Sequence, residues 1–143
     1  MANSSPWLLY ALLSALFAAL TAIFAKAGLK GIEPDLATAI RTTIILFITW
    51  GIVFFRNLPG KISGFSWQNW VFLLLSGMAT GLSWLFYYRA LQIGRVSEVS
   101  AIDRGSLLFT IFLAFLFLKE PVNLKIIAGA VLMIAGMILI VWK

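Results

Sequence analysis

Five apolar runs of about 20 residues, set apart by short polar breaks, constrain this chain more than any other feature of its sequence. A hydrocarbon core about 30 Å thick needs roughly 20 residues at the 1.5 Å rise of an α-helix, and lipid offers no partner to an unbonded N–H or C=O. The runs therefore predict transmembrane helices at residues 7–27, 36–55, 67–91, 97–118 and 123–142. The breaks GLKGIEPD, RNLPGKISGFS, QIGRV and KEPV carry the Gly, Pro or charge expected where backbone returns to the interface, and none is long enough for a separate soluble domain. A membrane β-barrel would instead show stretches of about ten residues with alternating polarity, which the unbroken apolar runs exclude. The expectation is an all-α integral membrane protein: one domain over residues 1–143, a bundle of five transmembrane helices in the lipid bilayer.

Composition supports that reading and removes several function classes. Only 11% of residues are charged, less than half the share of about 25% in soluble domains. The net charge of +6 comes from eleven Lys and Arg spread along the chain instead of gathered in a basic block, so no nucleic-acid partner is expected. With no Cys and no His, disulfides, thiol catalysis, zinc sites and the usual near-neutral proton carrier are absent, and any proton chemistry falls to carboxylates. No nucleophile–base pair, metal-ligand set or phosphate-cradling loop is present, so neither enzyme activity nor a metal or cofactor is expected. The start MANSSPW lacks a basic side chain before its long apolar run and reads as a retained first helix; the Ala-x-Ala-like sequence around Ala22, Phe24 and Ala25 is the competing signal-peptide reading.

Loop charges leave the orientation open. Five crossings put the termini on opposite faces: the amino-terminal face receives Arg56, Lys61, Lys119 and Lys125, and the other receives Lys30, Arg95 and Lys143. Adding the deeper Lys26, Arg41, Arg89 and Arg104 reverses the balance, so the positive-inside rule fixes no single orientation and dual insertion stands beside a fixed one.

Ionisable side chains near mid-bilayer cost on the order of 2.5–3.5 kcal/mol each on insertion scales, so their positions carry information. Lys26, Arg41, Arg89, Glu98, Asp103 and Arg104 all fall in the half of the bilayer opposite the amino-terminal face. Snorkelling accounts for Lys26 and Arg89; Arg41 and Asp103 lie deeper and are the preferred cross-helix pair. Polar stripes run along helix one (Ser14, Thr21), helix two (Thr38, Thr42, Thr49), helix three (Ser76, Thr80, Ser83, Tyr87) and helix four (Asp103, Ser106, Thr110), lining a shared path or bonding helix to helix. Trp84, Tyr87 and Tyr88 suit an aromatic wall beside that path, or an interfacial belt. The candidate solute site is Arg41, Ser83, Trp84, Tyr87, Tyr88, Asp103 and Ser106, and if a proton is coupled its expected carrier is Asp103 or Glu98. Gly77 and Gly81 form a GxxxG, and Gly129 and Gly136 lie seven apart on nearly one face of helix five; such small residues mark close helix contacts, within one chain or between two.

The runs WLLYALLSALFAALTAIFAKAGLKGI, ATAIRTTIILF and WLFYYRALQIGRVSEVSAIDRGSLLFTIFLAFLFLKEPVNLKIIAGAVLMIAGMILI resemble one EamA repeat of the drug/metabolite transporter superfamily, most specifically from Tyr87 to Glu120. The resemblance covers nearly the whole chain. It implies a multi-pass secondary transporter or exporter of small metabolites, amino-acid-like or amphipathic, in a bacterial plasma (inner) membrane. Familiar members join two inverted five-helix repeats around a central site, so a single repeat implies dimerisation, as an antiparallel dual-topology homodimer or with a homologous five-helix subunit. It also implies that helices one to four line the path while helix five supports packing. The related small multidrug resistance proteins couple protons through a Glu in their first helix; helix one here has no acidic residue, so that mechanism does not transfer. Competing readings are a non-transporting interaction subunit of a larger complex and a flippase of lipid-linked substrates.

Overall fold

A computed structural model describes residues 6–142; residues 1–5 and Lys143, counted above among the loop charges, lie outside the described residues. Helices α1 (Pro6–Gly28), α2 (Pro34–Phe55) and α3 (Trp67–Ile93) are continuous. The fourth apolar run is divided into α4 (Val96–Asp103), α5 (Ser106–Leu113) and a π-helical turn (Ala114–Leu118), and the fifth forms α6 (Leu124–Val141). No strand occurs among the described residues, and five spans are long and apolar enough to cross a membrane. Nearly all large apolar side chains lie on the outside of the chain, as they must where the solvent is hydrocarbon.

The ends of these helices follow from local chemistry. Gly31 turns the chain at φ +72°, and Pro34 opens α2 at a position where its missing N–H costs nothing. A 3₁₀ helix, Pro59–Gly64, shortens the return to α3, whose first turn is capped by Ser66 Oγ accepting from the Asn69 N–H at 3.2 Å. Lys119 adopts the left-handed conformation at φ 54°, the Glu120 N–H closes on Ala114 O at 3.3 Å, and Pro121 prevents further winding. Asn123 then caps α6, its Oδ1 accepting from the Ile126 N–H at 3.0 Å.

The division of the fourth run was not expected. The Arg104 N–H still reaches Ser100 O at 3.2 Å, but i→i+3 bonds then join Gly105 to Ile102, Leu107 to Arg104 and Leu108 to Gly105. A methyl group built on Gly105 would sit 2.8 Å from Ile102 O and 3.5 Å from Met137 Sδ, so the turn requires glycine. The other glycines singled out above behave differently: a Cβ on Gly77, Gly81, Gly129 or Gly136 meets nothing within 4 Å, so none of them brings two backbones of this chain together.

The chain divides into two compact units. One, Phe24–Gln92, holds the end of α1 with α2 and α3; the other holds the remainder of α1 with everything from Ile93 onward. In the first unit the buried side chains Ala25, Leu29, Thr38, Tyr88 and Leu91 all lie where α1 ends, α2 begins and α3 ends. In the second, α4 packs against α6.

Candidate functional site

In the Phe24–Gln92 unit the predicted residues meet, though not in the expected relation. Trp84 and Tyr88 are four apart on α3 and so share a face. The Arg41 guanidinium lies over that face, 4.0 Å from the Trp84 ring centre and 5.5 Å from that of Tyr88. Both distances are within cation–π range, so the aromatic wall already holds a cation supplied by the chain itself. Arg41 makes no hydrogen bond among the described residues, which leaves its forked donors available to an anion. Tyr87 packs edge-on against Tyr88 at 6.4 Å. Ser83, exposed, sits one turn from Tyr87 on the neighbouring face of α3.

The same membrane end carries a set of charged contacts that sequence reasoning missed. Arg89 Nε and Nη2 donate to Asp35 Oδ1 at 3.2 and 3.0 Å, and Nη2 donates to Oδ2 at 2.8 Å. Lys26 Nζ donates to the Leu91 and Gln92 carbonyls, a cation placed on the negative end of α3, and Gln92 Nε2 donates to Ile32 O at 3.2 Å. Together these tie the end of α1, the following loop and the start of α2 to the end of α3. The signal for Asp35 was present: an acidic residue directly after Pro34 belongs in a helix first turn, where the dipole favours it, and not in the preceding loop.

An open groove of about 360 Å³ runs between α2 and α3, lined by Asp35, Thr38, Thr42, Thr43, Gly81 and Leu85 among others. The threonine stripe does not bond helix to helix as donor. Thr38, Thr42, Thr43 and Thr49 each donate to the carbonyl four residues back on α2, at 2.8 to 3.0 Å, and Thr80 and Thr110 do the same on their own helices. The remaining lone pairs of Thr38, Thr42 and Thr43 are what these residues present to the groove.

In the second unit Asp103 and its neighbour Arg104 line different cavities, as adjacent helical residues should. Asp103 and Ser106 border an open cavity of about 660 Å³ whose opposite wall is α6, through Met137, Ile138, Val141 and Trp142. Nothing in the uniformly apolar sequence of α6 separates such a wall from a lipid face. Arg104 borders a second cavity, also about 660 Å³, with Arg95, Ser97, Ser100 and the small side chains of Ala18, Ala19 and Ala22. Glu98, expected as an alternative proton carrier, accepts from Arg95 at 3.3 Å.

Comparison with known proteins shows a match to the EamA-like transporter family over residues 5–142. A Sinorhizobium sp. protein described as an uncharacterized transporter in the cobO 3′ region is 44% identical over 137 residues, covering 96% of this chain and 97% of that one. An uncharacterized transporter of Archaeoglobus fulgidus is 30% identical over 141 residues, covering 99% of this chain and 47% of its own length. No solved structure matches the chain.

Proposed function

Because the chain belongs to the EamA-like transporter family, we propose that it is a half-size secondary transporter or exporter of small amino-acid-like or amphipathic solutes, working by alternating access as a dimer in a bacterial plasma membrane. One length relation carries the reading. The chain spans nearly all of the Sinorhizobium relative and 47% of the Archaeoglobus one, so it has relatives of its own length and of about twice that length. Two copies then supply what the longer chain carries in one. The arrangement is an antiparallel dual-topology homodimer, for which near-balanced loop charges are the requirement; a homologous five-helix subunit of opposite orientation would fill the same place. The open space over Gly77, Gly81, Gly129 and Gly136 suits the approach of a second copy's backbone.

In this reading Arg41, fixed by Trp84 and Tyr88, attracts the carboxylate of the solute, while Ser83 and Tyr87 border it. Asp103 is the proton carrier, Glu98 being engaged by Arg95. Two measurements test the proposal. Single cysteines at Lys30 and Ser63, beyond opposite ends of α2 in this Cys-free chain, are labelled from outside intact cells with an impermeant reagent. Labelling at both positions is expected, and labelling at only one refutes the antiparallel homodimer. Proteoliposomes holding this chain alone should take up amino-acid-like solutes, and Arg41→Gln should abolish uptake while inserting normally; uptake unchanged in that variant removes Arg41 from the site.

A further inference from the structure

The cavity between the divided fourth segment and α6 is not explained by a role for Asp103 in proton coupling. Its volume of about 660 Å³ lies within the 300–1,000 Å³ range of small-molecule sites, and its lining has the usual character of such sites, mostly apolar with few polar groups. Asp103 stands seven residues into the segment that begins at Val96, about 10 Å along the helix axis and so inside the hydrocarbon region. No described residue forms an ion pair or hydrogen bond with its carboxylate. An ionised side chain at that depth is expensive without a partner, so its retention beside a cavity is a mark of function. The helix is interrupted at the same place: Asp103 ends α4, Gly105 makes the tight turn and Ser106 begins α5. Transporter sites are commonly built where a transmembrane helix is discontinuous. The carboxyl end of α4 and the amino end of α5 meet at this turn and their opposite partial charges offset each other there, which leaves the carboxylate to set the sign of the ligand.

We propose that this cavity binds an amphipathic organic cation, the cationic centre on Asp103 and the apolar groups against Phe109, Met137, Ile138 and Trp142. Trp142 adds an aromatic face for the same charge. The commitment to a cation follows from the single unpartnered carboxylate, and the commitment to an amphipathic one from the apolar walls. The site is distinct from the stacked Arg41, whose chemistry selects the opposite charge. It stands on the cavity and not on the transport reading: saturable binding to a chain that moves no solute leaves it intact, and failure of binding leaves transport to be judged by uptake.

The test uses the full chain purified in detergent, with tetraphenylphosphonium as probe in equilibrium dialysis and tetraphenylborate as the anion of matching shape. Saturable binding of the cation and none of the anion is expected. Asp103→Asn, which keeps the shape but removes the charge, should weaken binding by more than about tenfold, the scale expected when one member of a desolvated charge pair is lost. Met137→Trp, which keeps the charge but fills the cavity, should weaken it comparably, so the conclusion does not hang on one variant folding well. Glu120→Gln, which alters a carboxylate outside the cavity, should bind as the unmodified chain does. Absence of saturable binding, equal binding of the borate, or undiminished binding in either Asp103→Asn or Met137→Trp overturns the proposal.

Discussion

The stacking of Arg41 on α3 yields a quantitative expectation for a double-mutant cycle. The guanidinium is 4.0 Å from the centre of the Trp84 ring and 5.5 Å from that of Tyr88, inside and near the edge of the range of about 6 Å over which a ring quadrupole attracts a cation. Such contacts contribute about 0.5–1 kcal/mol when exposed and about 2 kcal/mol when desolvated. Arg41 and Trp84 are both half-buried and lie in membrane-spanning helices, which places the pair between these limits, at about 1–1.5 kcal/mol. The more distant Tyr88 should contribute about half as much. Arg41→Ala, Trp84→Ala and the double variant, unfolded by titration with SDS in mixed micelles, give the coupling directly, because loss of packing common to the single and double variants cancels. Repeating the cycle with Tyr88→Ala gives the second coupling, and Arg41→Lys, which keeps the charge but loses the planar stack, should retain only part of the first. A Trp84 coupling below about 0.3 kcal/mol, within the scatter of independent sites, or one smaller than the Tyr88 coupling, would refute the stacked geometry.

Three further outcomes follow from other features. Asp35→Arg and Arg89→Asp should each raise amide exchange across the start of α2, and the double swap should restore protection; failure of the swap to restore it would mean that the pair does not hold these helix ends. Gly105→Ala gains about 0.8–1 kcal/mol of helix propensity but forces a methyl group to 2.8 Å from a backbone oxygen, an overpacking that costs about 1–3 kcal/mol. A net loss of about 1 kcal/mol in SDS unfolding is therefore expected, and a stabilised variant would contradict the tight turn. Gly77→Leu and Gly129→Leu should leave the single chain's stability within about 0.5 kcal/mol, since nothing lies near either position, yet reduce energy transfer between labelled copies if the proposed dimer forms through these faces; undiminished transfer would remove them from that proposal.

The five spans were legible because they depend on composition over long windows. Lipid permits a run such as residues 36–55 no conformation but a helix, and the Asn123 boundary follows from one-residue chemistry. The division at Gly105 was not legible, since a lone glycine is ordinary in a membrane helix and only the nearness of Ile102 O and Met137 shows why it is needed here. Arg41, Trp84 and Tyr88 stood out as candidates in the sequence, but the stacking of the first on the other two did not. Periodicity places Trp84 and Tyr88 on one face of α3, yet it says nothing about the rotation of α2 against α3 that lays Arg41 upon them instead of leaving the rings to a solute. Asp35 was overlooked because it was assigned to a loop, and α6 because apolar sequence carries no mark of which side faces a cavity.

The contact between Asp35 and Arg89 makes α2 and α3 a closed loop in the mechanical sense. At one end the two helices are joined by covalent chain through Pro59–Gly64; towards the other they are held by the Asp35–Arg89 pair, by Gln92 donating to Ile32 O in the loop before α2, and by Arg41 stacked on Trp84 and Tyr88. A loop fastened in this way opens at its weaker clasp. Asp35 and Arg89 are more than half exposed, at 57% and 56%, so that clasp is the one within reach of counterions. Ionic strength on one side of the membrane thus acts as a handle on one end of the hairpin and leaves the other alone.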